Sequence, residues 1–234
     1  MTAPPIAAVR AASPAGPARA PDPARPDPAR DAVFDMVAIP GGDAPIGSTM
    51  AEMAACIADW RDRLVDPRYR AAFGDWIAKE YPRHSVRIAP FAIGRFPVTN
   101  DQYLPFLAAT GRPAPESIRI GAPGDHPVWG VEAIDADDFA AWASAMTGRR
   151  FAVPSEAQWE WAARGPDALI YPYGDRFDAT RCNTREAGIG TTTPVTAYPG
   201  GVSPFGVWDM AGNVEEWVAD LYAPIPAGAG STMI

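Results

Sequence analysis

Cysteine and histidine are both scarce in this sequence, which has two of each among 234 residues. Cys56 and Cys182 lie far apart and in no metal-binding spacing. A disulfide scaffold is therefore excluded, and two reduced thiols with packing roles are favoured. Two histidines cannot build a three-histidine zinc or iron site. His126 precedes a proline, and we interpret it as a turn histidine bonded to the backbone rather than as a general base.

Positive charge and long apolar runs are lacking as well. The formal net charge is −8, whereas nucleic-acid binding requires a basic surface. No apolar run reaches the roughly 18 residues that a transmembrane helix needs. Prolines near the N-terminus interrupt any apolar stretch of the kind found in a signal peptide. We therefore expect a cytoplasmic protein with neither a nucleic acid nor a membrane as its partner.

Several compact catalytic motifs are also absent. The sequence has no phosphate-binding P-loop, no dinucleotide-binding glycine motif after a strand and no Gly-x-Ser-x-Gly nucleophile elbow. It has neither a His-Glu-x-x-His zinc motif nor a twelve-residue EF-hand loop. The adjacent acid pairs do not indicate a glycosidase, because neighbouring side chains on one element diverge.

Composition divides the chain at about residue 31. Residues 1–30 contain ten Ala and eight Pro and no aromatic residue, so they cannot bury enough surface to offset their ordering entropy. We expect a disordered tail there and a single folded domain over residues 31–234. The apolar fraction of 47% allows a sizeable core.

Strand and helix signals occupy the first two thirds of that domain. Residues 34–40 and 86–94 have strand-like patterns, with a bend at Pro90. Apolar residues recur at helical spacing from Ser48 or Thr49 to Pro67 and again up to about residue 81. Capping-box spacing at Thr99 and at Ser155 predicts two more helices.

Asp135 predicts a further helix start, and Gly111, Gly148 and Gly165 predict helix ends. After Gly165 the sequence shows turn residues between aromatic residues and no long periodic helix. The pattern therefore predicts an α+β protein whose C-terminal part is rich in loops. Loops of such length are usually functional, disordered or held by a ligand.

Residues 206–217 carry the most specific chemistry in the chain. Two tryptophans flank a Gly212-Asn213 turn with three carboxylates nearby, Asp209, Glu215 and Glu216. Gly-Asn favours a positive φ, and carboxylates beside exposed carbonyls suit Ca2+, which takes oxygen ligands. A surface turn with solvated acids is the alternative, and it is the more frequent use of such a pattern.

Six segments of the sequence resemble, in their order and spacing, the formylglycine-generating enzyme family, also called the sulfatase-modifying factor domain. The segments are residues 36–42, 91–103, 126–129, 153–165, 171–175 and 205–217. The resemblance covers nearly the whole predicted domain. It implies a variant C-type-lectin-like fold of the α+β class with little regular secondary structure.

The resemblance also implies structural Ca2+. One ion would bind the side chains of Asp209 and Glu216 and the carbonyls of Gly212 and Val214. A second would bind Asn183, the carbonyl of Thr184 and, as our candidate acid, Glu186. Glu215 is left out, because strand alternation points it away from Glu216.

The reaction implied by the resemblance is the O2-dependent oxidation of a cysteine in a client sulfatase to formylglycine. The family holds copper with a cysteine pair that follows the Gly-Asn turn, after an Arg-Gly-Gly-Ser segment, and no such pair precedes Ile234. We therefore predict no catalytic residues and no copper site in this sequence. Two hypotheses remain, a truncated enzyme of this type and a non-catalytic lectin-like module that binds a peptide or protein.

Overall fold

The computed structural model describes residues 34–221, so the predicted tail over residues 1–30 lies outside the described residues. The described part is mixed helix and strand, which confirms the α+β prediction. Its strands are β1 (Met36–Ile39), β2 (Gly42–Ile46), β3 (His84–Ile88) and β4 (Phe91–Gly94). Its helices are α1 (Met50–Trp60), α2 (Phe73–Ile77), α3 (Asn100–Thr110), α4 (Glu116–Arg119), α5 (Ala133–Thr147) and α6 (Glu156–Arg164).

The strands form two antiparallel pairs. β1 pairs with β4, with Met36 opposite Gly94, and β2 pairs with β3, with Gly42 opposite Ile88. The strand at 34–40 is confirmed, and the bend at Pro90 divides the second predicted stretch into β3 and β4. Strand β2 was not predicted, because it begins at the second glycine of Gly41-Gly42, and a Gly-Gly pair is more typical of a turn than of a strand.

Local capping chemistry sets most helix boundaries. Thr99 and Ser155 accept hydrogen bonds from the backbone N–H groups three residues later, and both capping boxes are complete. Thr49 caps α1 in the same way. The prediction that Asp135 caps α5 is wrong, because the helix begins after Glu132 and Asp135 lies in its first turn. The carboxylate of Asp135 instead accepts from the backbone N–H of Glu132 at 3.1 Å.

Two apolar clusters hold the domain together. The larger joins β1, β2 and β3 to α6, and the smaller packs α3 against α5. Buried members of the larger cluster are Val37, Ile39, Ala44, Ile46, Ile88, Trp161, Ala162, Ala163, Val207 and Met210. Because Val207 and Met210 flank Asp209, the larger core anchors the acidic turn.

The two helices of residues 48–83 are fastened to the body through Trp60. Its indole N–H donates to the hydroxyl of Tyr171 at 3.1 Å, and its ring lies 4.9 Å from that of Phe177 in an edge-on contact. Helix α1 ends at Trp60, before the predicted limit at Pro67.

Beyond Gly165 the described chain has no α-helix, as predicted, and it has no strand. Its only helical pieces there are single 3-10 turns at Arg185–Ala187 and Pro199–Gly201. Among the described helices, none combines the length and the apolar character needed to cross a membrane.

Candidate functional site

The acidic turn begins where the chain leaves the core at Val207. The N–H of Trp208 donates to the carbonyl of Arg95 at 2.8 Å, next to strand β4. Asp209 follows with φ +59° and is 8% exposed. A non-glycine residue with positive φ is uncommon, and here it directs a carboxylate into the protein.

Asn213 ties this turn to two other loops. Its backbone has φ +72°, as the Gly-Asn turn predicts. Its amide N–H donates to Oδ2 of Asp209 at 2.8 Å and to the carbonyl of Thr193 at 3.1 Å. Its amide oxygen accepts from the N–H of Thr193 at 2.9 Å and from the side chain of Asn183 at 3.1 Å. One side chain thus connects segments that are 20 and 30 residues away.

Gly212 allows the loop at Asn183 to approach the turn closely. A Cβ at Gly212 would lie 2.6 Å from the carbonyl oxygen of Asn183 and 3.1 Å from Cγ2 of Thr184. The side chain of Asn183 also donates to the carbonyl of Thr191 at 2.8 Å. Gly212, predicted to serve one ion, therefore lies against Asn183 and Thr184, which are predicted to serve the other.

The two acids predicted as side-chain ligands both have raised pKa values. Desolvation raises the pKa of Asp209 to about 6, against the opposing effect of the Asn213 hydrogen bond. Glu216 is an exposed residue by its surface area, yet desolvation raises its pKa to about 7, and the charge of Asp209 adds to that rise. A cation bound here would offset the desolvation of both groups and the repulsion that Glu216 experiences from Asp209.

A cavity of about 700 Å³ opens beside the turn. Its walls come from residues 128–131, from the loop at 183–192 and from residues 213–217. The indole N–H of Trp217 donates to the carbonyl of Val131 at 3.1 Å and closes one edge.

Four of the seven predicted ligand residues line this cavity, and three do not. Those in the wall are Asn183, Thr184, Val214 and Glu216. Asp209, Gly212 and Glu186 lie outside it, and Glu186 accepts from the hydroxyl of Thr184 at 2.8 Å. The argument that excluded Glu215 is wrong, because residues 213–218 form no strand and Glu215 lines the cavity together with Glu216.

The donor chemistry fits a hard cation. The available atoms are carboxylate, amide and main-chain oxygens, which Ca2+ prefers. Within residues 34–221, no three His, Cys, Asp or Glu side chains converge as a metal site. A Ca2+ ligand set here must therefore include main-chain carbonyls, as at Gly212 and Val214.

Cysteine and histidine take structural roles. Both thiols are free, and the sulfur of buried Cys182 lies 3.4 Å from the hydroxyl of Tyr173. The ring of His126 forms a hydrogen bond with the hydroxyl of Thr192 at 3.0 Å. The prediction that it bonds the backbone is therefore wrong. The ring of His84 is the one that meets a backbone carbonyl, that of Pro82, at 3.1 Å.

Sequence reasoning missed the side-chain role of Asn213 and the contribution of residues 128–131. Asparagine after glycine signals positive φ and local side-chain bonding, so the first could have been inferred in part. The second had no local signal, because those residues reach the site only through the fold.

Several known proteins are similar to this chain in sequence. A serine/threonine-protein kinase Pkn1 from Chlamydia trachomatis is 35% identical over 64% of this chain, which spans 26% of that relative. The formylglycine-generating enzyme of Streptomyces coelicolor is 31% identical over 65% of this chain and 67% of its own.

Among solved structures, PvdO from Pseudomonas aeruginosa superposes with a TM-score of 0.61 and 32% identity, over 84% of this chain and 74% of its own. The family model of the sulfatase-modifying factor enzyme 1-like domain matches residues 22–233. That match covers all of the described core, the acidic turn and the cavity. The chain therefore belongs to the sulfatase-modifying factor enzyme 1-like domain family.

Proposed function

We propose that this domain binds a protein or peptide client in the cavity beside Trp217, and that Ca2+ holds the loops that form the cavity. The observation that carries the proposal is the shared wall: four residues predicted as Ca2+ ligands also line the cavity. Ordering the ligands would therefore also order the binding surface.

The cavity has the chemistry of a peptide site. Ligand sites combine apolar and aromatic walls with a few fixed polar groups. Here Trp129, Val131 and Trp217 supply the apolar part, and Thr184 and Arg185 supply polar groups. Trp217 is 50% exposed, so its ring is available to a ligand.

The proposed ligand sets are those implied by the family resemblance. Asp209 and Glu216 would hold one Ca2+ together with the carbonyls of Gly212 and Val214. Asn183, Thr184 and Glu186 would contribute to a second site. Support comes from the raised pKa values of Asp209 and Glu216 and from the close approach of Gly212 to Asn183.

A binding titration tests the proposal. A cysteine-containing peptide with a sulfatase motif is titrated into the protein with Ca2+ and again with a chelator, and tryptophan fluorescence is followed. We expect binding with Ca2+, weaker binding with chelator, and about tenfold weaker binding by Trp217→Ala, since buried aromatic contacts dominate interfaces. Trp76→Ala is the control, because Trp76 is 41% exposed on α2 and outside the cavity wall. Equal affinity of all three proteins would refute the assigned surface.

A second candidate function is oxidation of the client cysteine to formylglycine with O2. The likeness to the Streptomyces coelicolor enzyme favours it. Cys56 and Cys182 stand in separate environments, one in α1 and one against Tyr173. Incubation with Cu(I), O2 and the same peptide, followed by mass spectrometry, decides the question. Aldehyde formation would support catalysis, whereas an intact thiol with peptide bound would favour the binding module.

The predicted cytoplasmic location and the domain boundary at residue 31 are part of the same proposal. Limited proteolysis tests the boundary. We expect cleavage to stop near residue 31 and to leave a core of residues 31–234, and a stable fragment that retains the tail would contradict the division.

A further inference from the structure

Arg185 is the one lysine or arginine among the described residues that line the cavity beside Trp217. It opens the 3-10 turn Arg185–Ala187, on the wall formed by the 183–192 loop, and it is exposed. Within residues 34–221, its guanidinium has no hydrogen bond and no ion pair. Because arginine presents five N–H donors in a planar fork, the cavity wall carries an anion-binding group that the described chain does not use.

The acids near Arg185 in the sequence do not neutralise it. Glu186 follows it directly, but its carboxylate accepts from the hydroxyl of Thr184 at 2.8 Å. Arg181 shows what a satisfied arginine looks like in this part of the chain, because it pairs with the carboxylate of Asp178 at 3.2 Å. The free guanidinium of Arg185 is therefore a feature of its place in the cavity wall and not of a shortage of acids.

The other wall of the cavity carries acids of its own, Glu215 and Glu216. Neither of them forms an ion pair with Arg185 within the described chain. In the proposed function Ca2+ takes Glu216 and Asp209 as ligands, so a cation from solution serves this acidic wall. Nothing in the proposed function serves the guanidinium on the other wall, and the missing group must be an anion.

We propose that Arg185 selects the client, and that the segment bound in the cavity carries an aspartate or glutamate that pairs with its guanidinium. The inference rests on the proposed function and names the chemistry of the client. A carboxylate matches the arginine fork with two parallel hydrogen bonds.

The aromatic part of the cavity would strengthen this pair. Trp129 lines the cavity and Trp217 is 50% exposed at its edge, so a peptide packed against them would shield the ion pair from water. An ion pair that is weak on an open surface becomes stronger as water is excluded. Charge pairs across an interface act mainly on specificity, which is the role assigned to Arg185.

A set of matched peptides tests the pairing on the full chain in the presence of Ca2+. Each peptide is the cysteine-containing sulfatase-motif peptide with one position in turn changed to Glu, to Gln or to Lys. Gln keeps the shape of Glu without its charge. Affinities are measured by tryptophan fluorescence for wild type, Arg185→Glu and Arg185→Lys. Arg68→Glu is the control, because it makes the same change of net charge at a side chain that is 84% exposed and outside the cavity wall.

The preference between peptides should reverse with the charge at position 185. We expect one peptide position at which wild type binds the Glu peptide about tenfold more tightly than the Gln peptide, with the Lys peptide weaker still. Arg185→Glu should bind the Lys peptide most tightly at that position. Arg185→Lys should keep the wild-type order with a smaller ratio, because an ammonium group does not pair through a fork. Arg68→Glu should keep both the order and the ratio.

Each outcome is decisive. Equal binding of the Glu, Gln and Lys peptides by wild type at every position would overturn the inference and leave the proposed function standing. An order that Arg185→Glu does not reverse, or that Arg68→Glu also reverses, would do the same. Wild type that binds none of the peptides would overturn the proposed function as well. If Arg185→Glu fails to fold, Arg185→Gln decides in its place: equal binding of the Glu and Gln peptides supports the pairing, and a retained tenfold preference refutes it.

Discussion

Replacing Asn213 with glycine tests the hydrogen bonds that join the three loops of the site. Glycine adopts φ +72° without strain, so Asn213→Gly removes the side-chain bonds and preserves the turn. The bonds lost run to Asp209, to both backbone groups of Thr193 and to the amide of Asn183. Their partners then lie in a half-buried region, where the amide of Asn183 keeps its bond to the carbonyl of Thr191.

The expected loss follows from these partners. A neutral hydrogen bond contributes about 1 kcal/mol and one to a charged group about 1.5–3 kcal/mol. Asn213→Gly should therefore lower the free energy of unfolding by about 3–5 kcal/mol, allowing for water that rescues part of the site. For a domain of this size that corresponds to a fall of about 6–20 °C in Tm.

Urea unfolding and thermal melts in the presence of a chelator provide the measurement. Asn213→Ala is the companion variant, because it loses the same bonds and adds the strain of positive φ, which costs about 1–2 kcal/mol. We expect alanine to be the less stable of the two by that amount. A loss below about 1 kcal/mol for Asn213→Gly would refute the idea that this side chain holds the loops.

Three further predictions use the same measurements. Because the folded-state pKa of Asp209 is raised from 3.8 to about 6, the folded protein binds more protons than the unfolded one in that interval. Without Ca2+, the free energy of unfolding should therefore fall by at most about 3 kcal/mol as the pH rises from about 4 to about 6. Asp209→Asn should remove most of this pH dependence. An unchanged pH dependence in that variant would contradict the assignment of the raised pKa to Asp209. Gly201→Ala should lower the free energy of unfolding by several kcal/mol, because the new Cβ would lie 1.9 Å from the carbonyl oxygen of Arg181. Gly200→Ala is the control, because its Cβ would meet only an ordinary contact at 3.7 Å and should change that free energy by no more than about 0.5 kcal/mol. Equal stability of the two variants would be inconsistent with the loop geometry. Trp60→Phe should cost about 1 kcal/mol in urea unfolding by losing its hydrogen bond to a tyrosine hydroxyl, and a neutral result would mean that this bond does not anchor α1.

The helices were predictable because their signals are local. Thr99 and Ser155 each find their capping partner three residues along the same chain, so adjacent sequence carries the whole interaction. Asp135 shows the limit of such reasoning. Glu132 and Asp135 are both acids near one helix start, and only the path of the chain decides which of them precedes it.

The site was predictable only in part, because its bonds connect distant residues. The turn at Asn213 was evident from Gly-Asn, but its partner Asn183 is 30 residues away. The alternation argument for leaving out Glu215 did not hold for the same reason. Alternation holds for a strand, whereas this segment is shaped by contacts with Val131, with Pro154 and with the first residue of α6, Glu156.

Metal binding and client binding should be linked thermodynamically if both occur as proposed. Val214 and Glu216 belong both to the proposed ligand set and to the cavity wall. Ca2+ binding should therefore alter the surface that the client contacts, and client binding should alter the Ca2+ site. Linkage is reciprocal: if Ca2+ raises client affinity by some factor, the client must raise Ca2+ affinity by the same factor. The poorly solvated carboxylate of Asp209 gives a reason to expect positive coupling between Ca2+ and client. Without a cation, its charge destabilises the loop arrangement that forms the cavity wall. The 183–192 loop has one 3-10 turn as its only regular structure and is joined to the acidic turn through Asn213. A cation bound at the turn would therefore act on the opposite wall of the cavity through that one side chain.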